Sequence, residues 1–364
     1  MWLIFLMIFI LLAVIGNILL PPSLGKVKPF LNEKGEFLEG SISEKTFIKI
    51  NGTNQGMFIK GKDETKPVLL FVHGGPGMSD YFLAEQYAAD LEDEFVVCYW
   101  EQRGTGLSYN PDIPLDTMNT EQFVSDVIEV TNYLRDRFRQ DKIYLMGHSW
   151  GTYLGIKAAA QAPELYNAYI AMSQIVNQSE SEKIAYTYML EQYEKSGNTD
   201  KINQLLKYPI QASDESLEAY LNSSVRDNAM HELGIGTMHN MDTVIMGIFL
   251  PSLRCIEYTQ LERINIWRGK AFSSQTDLRK EMYGFSAVEE IPELKTPVYF
   301  LAGKYDYTCC YSLQKEYFNT LKSPIKGFYT FEESAHSPLF EEPCKAKRIL
   351  CKDVLNGIVT MADE

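Results

Sequence analysis

Residues 147–151, Gly-His-Ser-Trp-Gly, carry the most specific chemical signature in this sequence. An apolar stretch with strand composition precedes them at 142–146, and a stretch that opens with small residues, as helices often do, follows at 152–160. A Gly-x-Ser-x-Gly between a strand and a helix is the nucleophile elbow, a turn so sharp that its serine is strained. The elbow holds the Ser149 hydroxyl at a helix N-terminus, whose dipole favours developing negative charge. Ser149 is therefore the predicted nucleophile.

A serine hydroxyl needs a general base, and that base needs an acid to orient it. Of the five histidines, His336 lies just beyond the last predicted strand, and Asp306 lies just beyond the strand before it. The chain order Ser149, Asp306, His336 is the order in which a triad follows such an elbow. We expect Ser149 to attack, His336 to move the proton and Asp306 to fix the imidazole. A helix cap for Asp306 and a plain loop position for His336 are the structural alternatives.

A glycine-rich loop, His-Gly-Gly-Pro-Gly at residues 73–77, follows an apolar strand at 67–72. Acyl transfer needs two backbone N–H donors directed at the tetrahedral oxyanion. The N–H groups of Trp150 and Gly75 are the predicted donors, the second because a residue without a Cβ lets the backbone approach. A phosphate-binding loop is excluded, since neither Gly-Lys-Ser/Thr nor Gly-x-Gly-x-x-Gly occurs here.

Strand and helix patterns alternate on both sides of these motifs. A hairpin is predicted from residues 46–50 and 56–60. Apolar runs predict further strands, and the amphipathic stretches between these runs predict helices. The strands are at 67–72, 95–100, 142–146, 166–172, 297–302 and 327–331; the helices are at 81–92, 120–138, 311–321 and from 345. From 176 to 289 the apolar spacing is helical throughout.

This order predicts an α/β fold with a mostly parallel sheet flanked by helices and interrupted by a helical insertion. The core is expected at 40–175 and 290–364, and the insertion, a cap, at 176–289. Ligands of open α/β sheets bind at the carboxyl ends of the strands. Every candidate residue above falls at such an end.

The N-terminus departs from globular composition. Residues 2–20 are apolar apart from Gly16 and Asn17, and Pro21 and Pro22 end the run. About 19 residues at 1.5 Å each span roughly 28 Å, close to the hydrocarbon core of a bilayer. Residues 1–22 are therefore predicted to be a single-pass transmembrane anchor, with its orientation undetermined. A cleaved signal peptide is the alternative, disfavoured because a positive n-region and a small-x-small site are missing.

The remaining composition excludes some partners. A net charge of −14 and a pI near 5.0 argue against nucleic acid. No Cys-x-x-Cys occurs among the six cysteines, which are expected to be ordinary thiols, with a Cys344–Cys351 disulfide as an alternative. His231 and His239 lack a third ligand, so no metal is predicted.

Four motifs together resemble the prolyl-aminopeptidase (proline iminopeptidase) branch of the α/β hydrolases. They are residues 73–77, Gln-Arg-Gly-x-Gly-x-Ser at 102–108, the elbow at 147–151, and Ser-Ala-His-Ser-Pro at 334–338. The resemblance implies an α/β-hydrolase fold with a helical cap. It implies Ser149, Asp306 and His336 as the triad, with Gly75 and Trp150 as the oxyanion hole. The implied activity releases an N-terminal residue, such as proline, from short peptides without a cofactor.

Two departures concern the substrate. Glu101 stands where the family has Asp before Gln-Arg-Gly, and residues 176–289 do not obviously match the family's cap. Glutamates of that cap hold the substrate's free α-amine. His73, Gly74 and Glu232 are the predicted substrate-binding residues. The other cap glutamates that could serve are Glu182, Glu191, Glu218 and Glu257, each with a solvated helix face as its alternative.

A carboxylesterase or lipase-like hydrolase of small or apolar esters is the alternative activity. The Met-bearing stretch 230–249 fits an apolar pocket or ordinary core packing. Epoxide hydrolases and dehalogenases are disfavoured because they need Asp at the elbow. A binding protein on the same scaffold is the non-enzymatic alternative.

Overall fold

The computed structural model describes residues 21–87 and 89–363. Its centre is one eight-stranded sheet. The strands are β1 (Ile42–Ile50), β2 (Thr53–Gly61), β3 (Val68–Val72), β4 (Val96–Trp100), β5 (Ile143–His148), β6 (Tyr166–Met172), β7 (Val298–Gly303) and β8 (Lys326–Phe331). They lie in the order β1-β2-β4-β3-β5-β6-β7-β8. β1 and β2 form the predicted hairpin, β2 pairs antiparallel with β4, and the remaining neighbours pair in parallel. The predicted mostly parallel sheet is confirmed.

Helices cover both faces of the sheet. The central strand β3 is buried along its whole length, with Leu70 and Val72 in one apolar cluster and Leu69 and Phe71 in the other. Burial on both faces explains why the strand is a continuous apolar run rather than an alternating one. The helices outside the insertion are α1 (Tyr81–Tyr87), α2 (Thr120–Phe138), α3 (Trp150–Gln161), Tyr311–Thr320, Pro338–Glu341 and Pro343–Ile349.

The register brings the carboxyl ends of the parallel strands to one edge. Val72 of β3 is paired with both Trp100 of β4 and Gly147 of β5. Met172 of β6 is paired with both His148 of β5 and Leu301 of β7. The loops that follow these strands therefore meet along a single edge of the sheet. These loops contain the glycine-rich segment, the elbow, Asp306 and His336.

Residues 178–290, between β6 and β7, form helices. Part of this insertion has its own apolar core, which includes Met189, Tyr220 and Met230. Of the other methionines in the 230–249 stretch, Met238 and Met241 are buried and Met246 is exposed. The helices are α4 (Gln178–Ser196), α5 (Thr199–Leu205), α6 (Asp214–Leu221), α7 (Ser224–Glu232), the π-helix Ile245–Phe249, α8 (Leu250–Arg254), α9 (Gln260–Ser273), α10 (Leu278–Tyr283) and α11 (Ala287–Glu290).

The predicted transmembrane anchor covers residues 1–22, of which residues 1–20 lie outside the described part of the chain. Within residues 21–87 and 89–363, no helix is long and apolar enough to cross a bilayer. All six cysteines are free thiols, so the alternative of a Cys344–Cys351 disulfide is not realised.

Candidate active site

Ser149 sits on the sharp turn between β5 and α3. Its backbone has φ 53° and ψ −120°, a region that L-residues rarely adopt, and it is the N-cap of α3. A Cβ on Gly147 would lie 2.5 Å from the carbonyl oxygen of Gly151, and one on Gly151 would lie 1.9 Å from that of Val72. Both glycines are therefore required for the turn. The Ser149 side chain stays partly exposed at the strand-end edge.

Asp306 and His336 form a buried pair at the same edge. His336 Nδ1 lies 3.1 Å from each carboxylate oxygen of Asp306. The carboxylate also accepts the backbone N–H groups of Thr308 and Cys309, both at 2.9 Å. Burial alone would raise the pKa of Asp306, but the charge and hydrogen bond of His336 outweigh it and hold that pKa below its ordinary value. Asp306 is thus an ionised anchor for the imidazole.

The hydroxyl of Ser149 lies within hydrogen-bonding reach of the Cys309 thiol. Burial raises the pKa of this thiol well above its ordinary value, so Cys309 is a neutral neighbour. The described residues include no hydrogen bond between Ser149 and His336.

The glycine-rich loop lies against the elbow. Gly75 has φ 127°, and a Cβ there would lie 2.6 Å from the nitrogen of Gly77. An ideal Cβ on Gly74 would lie 3.5 Å from the Cβ of Ser149, so the loop and Ser149 are in close contact. The Gly74 N–H donates to Asp80 Oδ2 at 2.8 Å. Asp80 thereby fixes the loop that contains Gly75.

Asp80 also binds His148, the residue before Ser149. His148 Nδ1 lies 2.7 Å from Asp80 Oδ2, and His148 Nε2 lies 3.0 Å from the carbonyl oxygen of His336. A carboxylate and a carbonyl only accept, so both ring nitrogens of His148 donate and the ring is cationic. Burial lowers the pKa of His148, but the Asp80 carboxylate outweighs that effect and the pKa is raised. Ser173 Oγ donates to the same His336 carbonyl at 2.9 Å.

Gln102 lies in the loop after β4. Behind the site, it connects this loop to the glycine-rich loop and to α3. Its amide nitrogen donates to the carbonyl of His73 at 2.7 Å, and its amide oxygen accepts from Trp150 Nε1 at 2.8 Å. Its backbone N–H donates to His73 Nε2 at 3.0 Å, while His73 Nδ1 lies 2.7 Å from the carbonyl oxygen of Gly74. Burial lowers the pKa of His73, in keeping with a neutral ring. Both ring nitrogens of His73 are thus engaged with the backbone.

The neighbouring charged residues of the same turn are also buried. Arg103 makes two 2.9 Å hydrogen bonds to Asp126 of α2, an internal ion pair. Glu101 accepts from Ser79, from Tyr258 of the insertion and from the N–H of Leu107. Burial raises the pKa of Glu101 to about 7. Glu101 therefore links the sheet to the insertion.

Residues 235–239 of the insertion lie against the loop that carries His336. The N–H of His336 donates to the carbonyl of Gly236 at 3.3 Å, and Ser337 Oγ donates to that of Thr237 at 2.7 Å. Glu341 accepts the backbone N–H groups of Ala335, Ser337 and His239. The Glu341 carboxylate therefore joins residues 235–239 of the insertion to the loop that carries His336.

Glu182 is the candidate cap glutamate whose contacts lead toward Ser149. It accepts two 2.7 Å hydrogen bonds from Arg226 and one of 3.2 Å from Gln178, one turn earlier on α4. Gln178 Oε1 lies 3.8 Å from Cys309 Sγ, and the Cys309 thiol reaches Ser149. Glu182 is thus connected to Ser149 through Gln178 and Cys309, but its charge is paired with a guanidinium.

The other candidate glutamates are either exposed or held by contacts in other parts of the molecule. Glu232 forms an exposed ion pair with Lys201, and Glu191 forms an exposed one with Lys195. Glu257 is buried against Lys60 and Tyr81, and Glu218 is exposed. In the described part of the chain, no group of three or more His, Cys, Asp and Glu side chains is arranged to hold a metal ion.

Sequence comparisons agree with this geometry. Residues 67–206 match the alpha/beta hydrolase fold family. The chain is 32% identical over 305 residues to a probable aminopeptidase, YbaC, of Bacillus subtilis (strain 168), a match that covers 83% of this chain and 93% of the relative. It is 26% identical to the proline iminopeptidase of Clostridium botulinum (strain Hall), with 85% and 94% of the two chains covered.

Solved structures share the fold. The crystal structure of VinJ superposes with a TM-score of 0.63 at 17% identity, covering 86% of this chain and 98% of VinJ. The proline iminopeptidase-related protein of Thermus thermophilus gives 0.58 at 16% identity, with 87% and 99% covered. Fold and site together define the class, an α/β hydrolase. The chain belongs to the α/β-hydrolase superfamily, in its proline iminopeptidase-like branch.

Proposed function

We propose that this hydrolase acts through a covalent acyl-enzyme, with Ser149 as nucleophile, His336 as base and Asp306 as the orienting acid. The observation that carries the proposal is the buried Asp306–His336 pair, held at the strand-end edge where Ser149 projects from the elbow. Ser149 Oγ attacks the substrate carbonyl carbon while His336 Nε2 takes its proton. Asp306 stabilises the imidazolium that results.

The tetrahedral intermediate then collapses. Its oxyanion is held by the backbone N–H groups of Gly75 and Trp150, the second at the positive end of α3. His336 Nε2 returns the proton to the leaving group as the bond to the carbonyl carbon breaks. A water molecule, deprotonated by His336, next attacks the acyl-enzyme, and Ser149 regains its proton as the acid product leaves.

A fluorophosphonate probe tests the nucleophile. Ser149→Ala is expected to abolish covalent labelling, whereas Ser323→Ala, at the opposite end of the sheet, is expected to label as the unaltered protein does. Ser323 Oγ makes only backbone hydrogen bonds, to Thr296 and Ile325. Labelling that persists at another residue in Ser149→Ala contradicts the assignment.

The favoured substrate is a short peptide from which the N-terminal residue is released. The relatives named aminopeptidase and proline iminopeptidase support this choice. Such an activity needs negative charge near Ser149 to hold the free α-amine. Glu182 is the proposed source because Cys309 and Gln178 connect it to Ser149.

A carboxylesterase of small or apolar esters is the second candidate. The observation that favours it is the pairing of Glu182 with Arg226, since a carboxylate already held by a guanidinium is a weaker amine site. Turnover of prolyl- and alanyl-4-nitroanilide is to be compared with that of 4-nitrophenyl esters. Ester hydrolysis without release of nitroaniline supports the second candidate and defeats the first.

Glu182→Gln separates the two candidates further. If Glu182 holds the amine, KM for the aminoacyl anilides rises about tenfold or more, as expected for a lost charged hydrogen bond, while KM for esters is unchanged. Glu180→Gln, which alters an exposed ion pair with Lys183, is the control and leaves both unchanged. Because Glu182→Gln leaves Arg226 without its bidentate partner, a double variant with Arg226→Met is measured alongside. An unchanged anilide KM in both variants rejects Glu182 as the amine site.

We further propose that residues 1–20 anchor the chain in a membrane. Their apolar composition supports this, as does a length that suits a bilayer core. Resistance of the expressed protein to extraction from membranes by alkaline carbonate is the expected result. Complete release by carbonate contradicts the anchor and leaves the hydrolase proposal untouched.

A further inference from the structure

Seven exposed apolar side chains define what we call the apolar cap face. Their exposed fractions run from 37% to 81%. Scattered apolar side chains are normal on protein surfaces, but a contiguous patch marks a site of contact with a partner or a membrane. The seven are Leu24, Ile245, Met246, Phe249, Ile256, Leu261 and Ile264.

Helix α9 forms the middle of this face. Leu261 and Ile264 lie three residues apart on its exposed side, and Trp267 follows at the next step. The Trp267 ring lies 5.1 Å from that of Phe249, which belongs to the π-helix, and Trp267 Nε1 donates to Ser252 at 2.9 Å. The π-helix and α9 therefore present their apolar side chains side by side.

The first described residues of the chain complete the face. Leu24 is paired as an isolated bridge with Thr259, directly before α9. Ser23 hydrogen-bonds the carbonyl of Ile256, and Arg263 Nη1 donates to the carbonyl of Pro21 at 2.6 Å. The apolar residues 1–20 thus join the domain at the edge of this face, where Pro21 is held.

The charges around the face differ from those of the whole protein. The chain has a net charge of −14, yet three of the four exposed charged side chains between residues 242 and 271 are basic, namely Arg254, Arg268 and Lys270, and the fourth is Asp242. Glu257 is buried and Glu262 is paired with Lys45. An apolar surface with basic side chains beside it is the pattern of segments that lie in the interface of anionic membranes.

We propose that the apolar cap face docks on the surface of a lipid bilayer, beside the point where the N-terminal segment enters it. The inference rests on the proposed anchor. It goes beyond the anchor because an anchor alone tethers the domain to the membrane without bringing any part of the cap into contact with lipid. The partner is an anionic bilayer, whose acyl region accepts the apolar side chains and whose headgroups face the three basic residues.

Tryptophan fluorescence tests this contact in the full-length chain. Of the four tryptophans, Trp100 and Trp150 are buried, and Trp2 is replaced by phenylalanine, so that Trp267 is the remaining reporter at the surface. The protein is reconstituted in vesicles of phosphatidylcholine and phosphatidylglycerol, with and without lipids brominated near the headgroup. We expect brominated lipid to quench the emission, and Trp267→Phe to remove the quenched component.

Two matched substitutions localise the contact. Ile264→Asp places a charge on the apolar cap face and is expected to remove most of the quenching. Ile358→Asp is the control, because Ile264 and Ile358 are each 42% exposed, and Ile358 lies near β8, at the opposite edge of the sheet from β1. Quenching that is equal in the two variants overturns the proposal.

Carbonate extraction of the same vesicles separates this inference from the anchor. A chain that resists extraction while Trp267 stays unquenched is anchored but does not dock, which overturns the inference alone. This result is also expected if a second copy or residues 1–20 cover the face. A chain that does not associate with the vesicles overturns both. Fluorophosphonate labelling of the same samples reports the hydrolase separately.

Discussion

Asp80 and His148 form a buried ion pair, 2.7 Å between Oδ2 and Nδ1, that joins the three loops of the candidate site. Asp80 also accepts the N–H of Gly74, and His148 also donates to the carbonyl of His336. This one pair therefore fixes the relative positions of the glycine-rich loop, of His148 in the elbow and of the loop that carries His336. Neither residue needs to touch the substrate for this effect.

Asp80→Asn is expected to lower kcat about ten- to a hundredfold with little change in KM. An amide oxygen can still accept both hydrogen bonds, which go to one oxygen of Asp80, but without the negative charge His148 is neutral and can donate from only one of its two ring nitrogens. Losing one charged hydrogen bond behind the site costs roughly 1.5–3 kcal/mol, which corresponds to that range of rates. Steady-state kinetics on the substrate established by the chromogenic assays provides the measurement.

Asp353→Asn is the matched control for this substitution. Asp353 is also a buried aspartate with several hydrogen bonds, from Tyr329, Thr360 and the N–H of Met361, but it lies near the C-terminus. It is expected to lose stability and keep kcat. A normal kcat in Asp80→Asn shows that the Asp80–His148 pair supports folding alone.

Gln102→Leu is expected to impair the oxyanion hole and the fold together. It leaves the Trp150 indole N–H and the His73 carbonyl without their buried partner, a loss of about 3 kcal/mol in the free energy of unfolding. Because the indole ring then shifts, the backbone N–H of Trp150 no longer points at the position proposed for the oxyanion. As a result, kcat falls about tenfold or more. Urea unfolding and initial rates measure the two effects.

Gln140→Leu provides a control with the same chemistry. Gln140 also joins two backbone groups, the N–H of Val68 and the carbonyl of Lys66, at the amino end of β3. It is expected to lower the free energy of unfolding without lowering kcat. If kcat falls equally in the two variants, the effect of Gln102→Leu comes from a general loosening of the fold and not from a change at the site.

Patterns close together in sequence predict the sheet and the strand-end positions of Ser149, Asp306 and His336. An apolar run followed by a short glycine-rich or polar loop is a local signal, and parallel strands bring such loops to one edge. The predicted hairpin and the helix at 120–138 are confirmed for the same reason.

Sequence patterns cannot predict the contacts that support the candidate site, because the partners in each contact are far apart along the chain. Asp80 and His148 are separated by 68 residues, and Glu182 and Arg226 by 44. Helical spacing in the insertion predicts helices but not which carboxylates are paired. His73 is predicted to bind substrate, whereas its ring holds the backbone of Gln102. The one available signal is Gln102 itself, a polar residue two positions after the end of a buried strand.

Thiol reagents are expected to leave activity intact. Cys309 lies beside Ser149, but it is buried and its pKa is raised well above the ordinary value, so it presents no thiolate. The exposed Cys344 is expected to react first with a maleimide. Mass spectrometry locates the adduct, and Cys344→Ser is the control that removes it. Rapid inactivation with the adduct on Cys309 contradicts the assignment of a neutral thiol.

The free energy of unfolding is expected to fall between pH 5 and pH 8 because of Glu101. Burial raises its folded-state pKa to about 7 from an ordinary 4.5, so within this window the folded chain binds more protons than the unfolded chain. Stability from this group is therefore complete below pH 4.5 and is lost as the pH rises through 7. Glu101→Gln, which stays neutral, is expected to flatten the decline measured by urea unfolding. Glu33→Gln, at an exposed glutamate, is expected to leave the slope unchanged, and an equal slope in both variants assigns the decline to other groups.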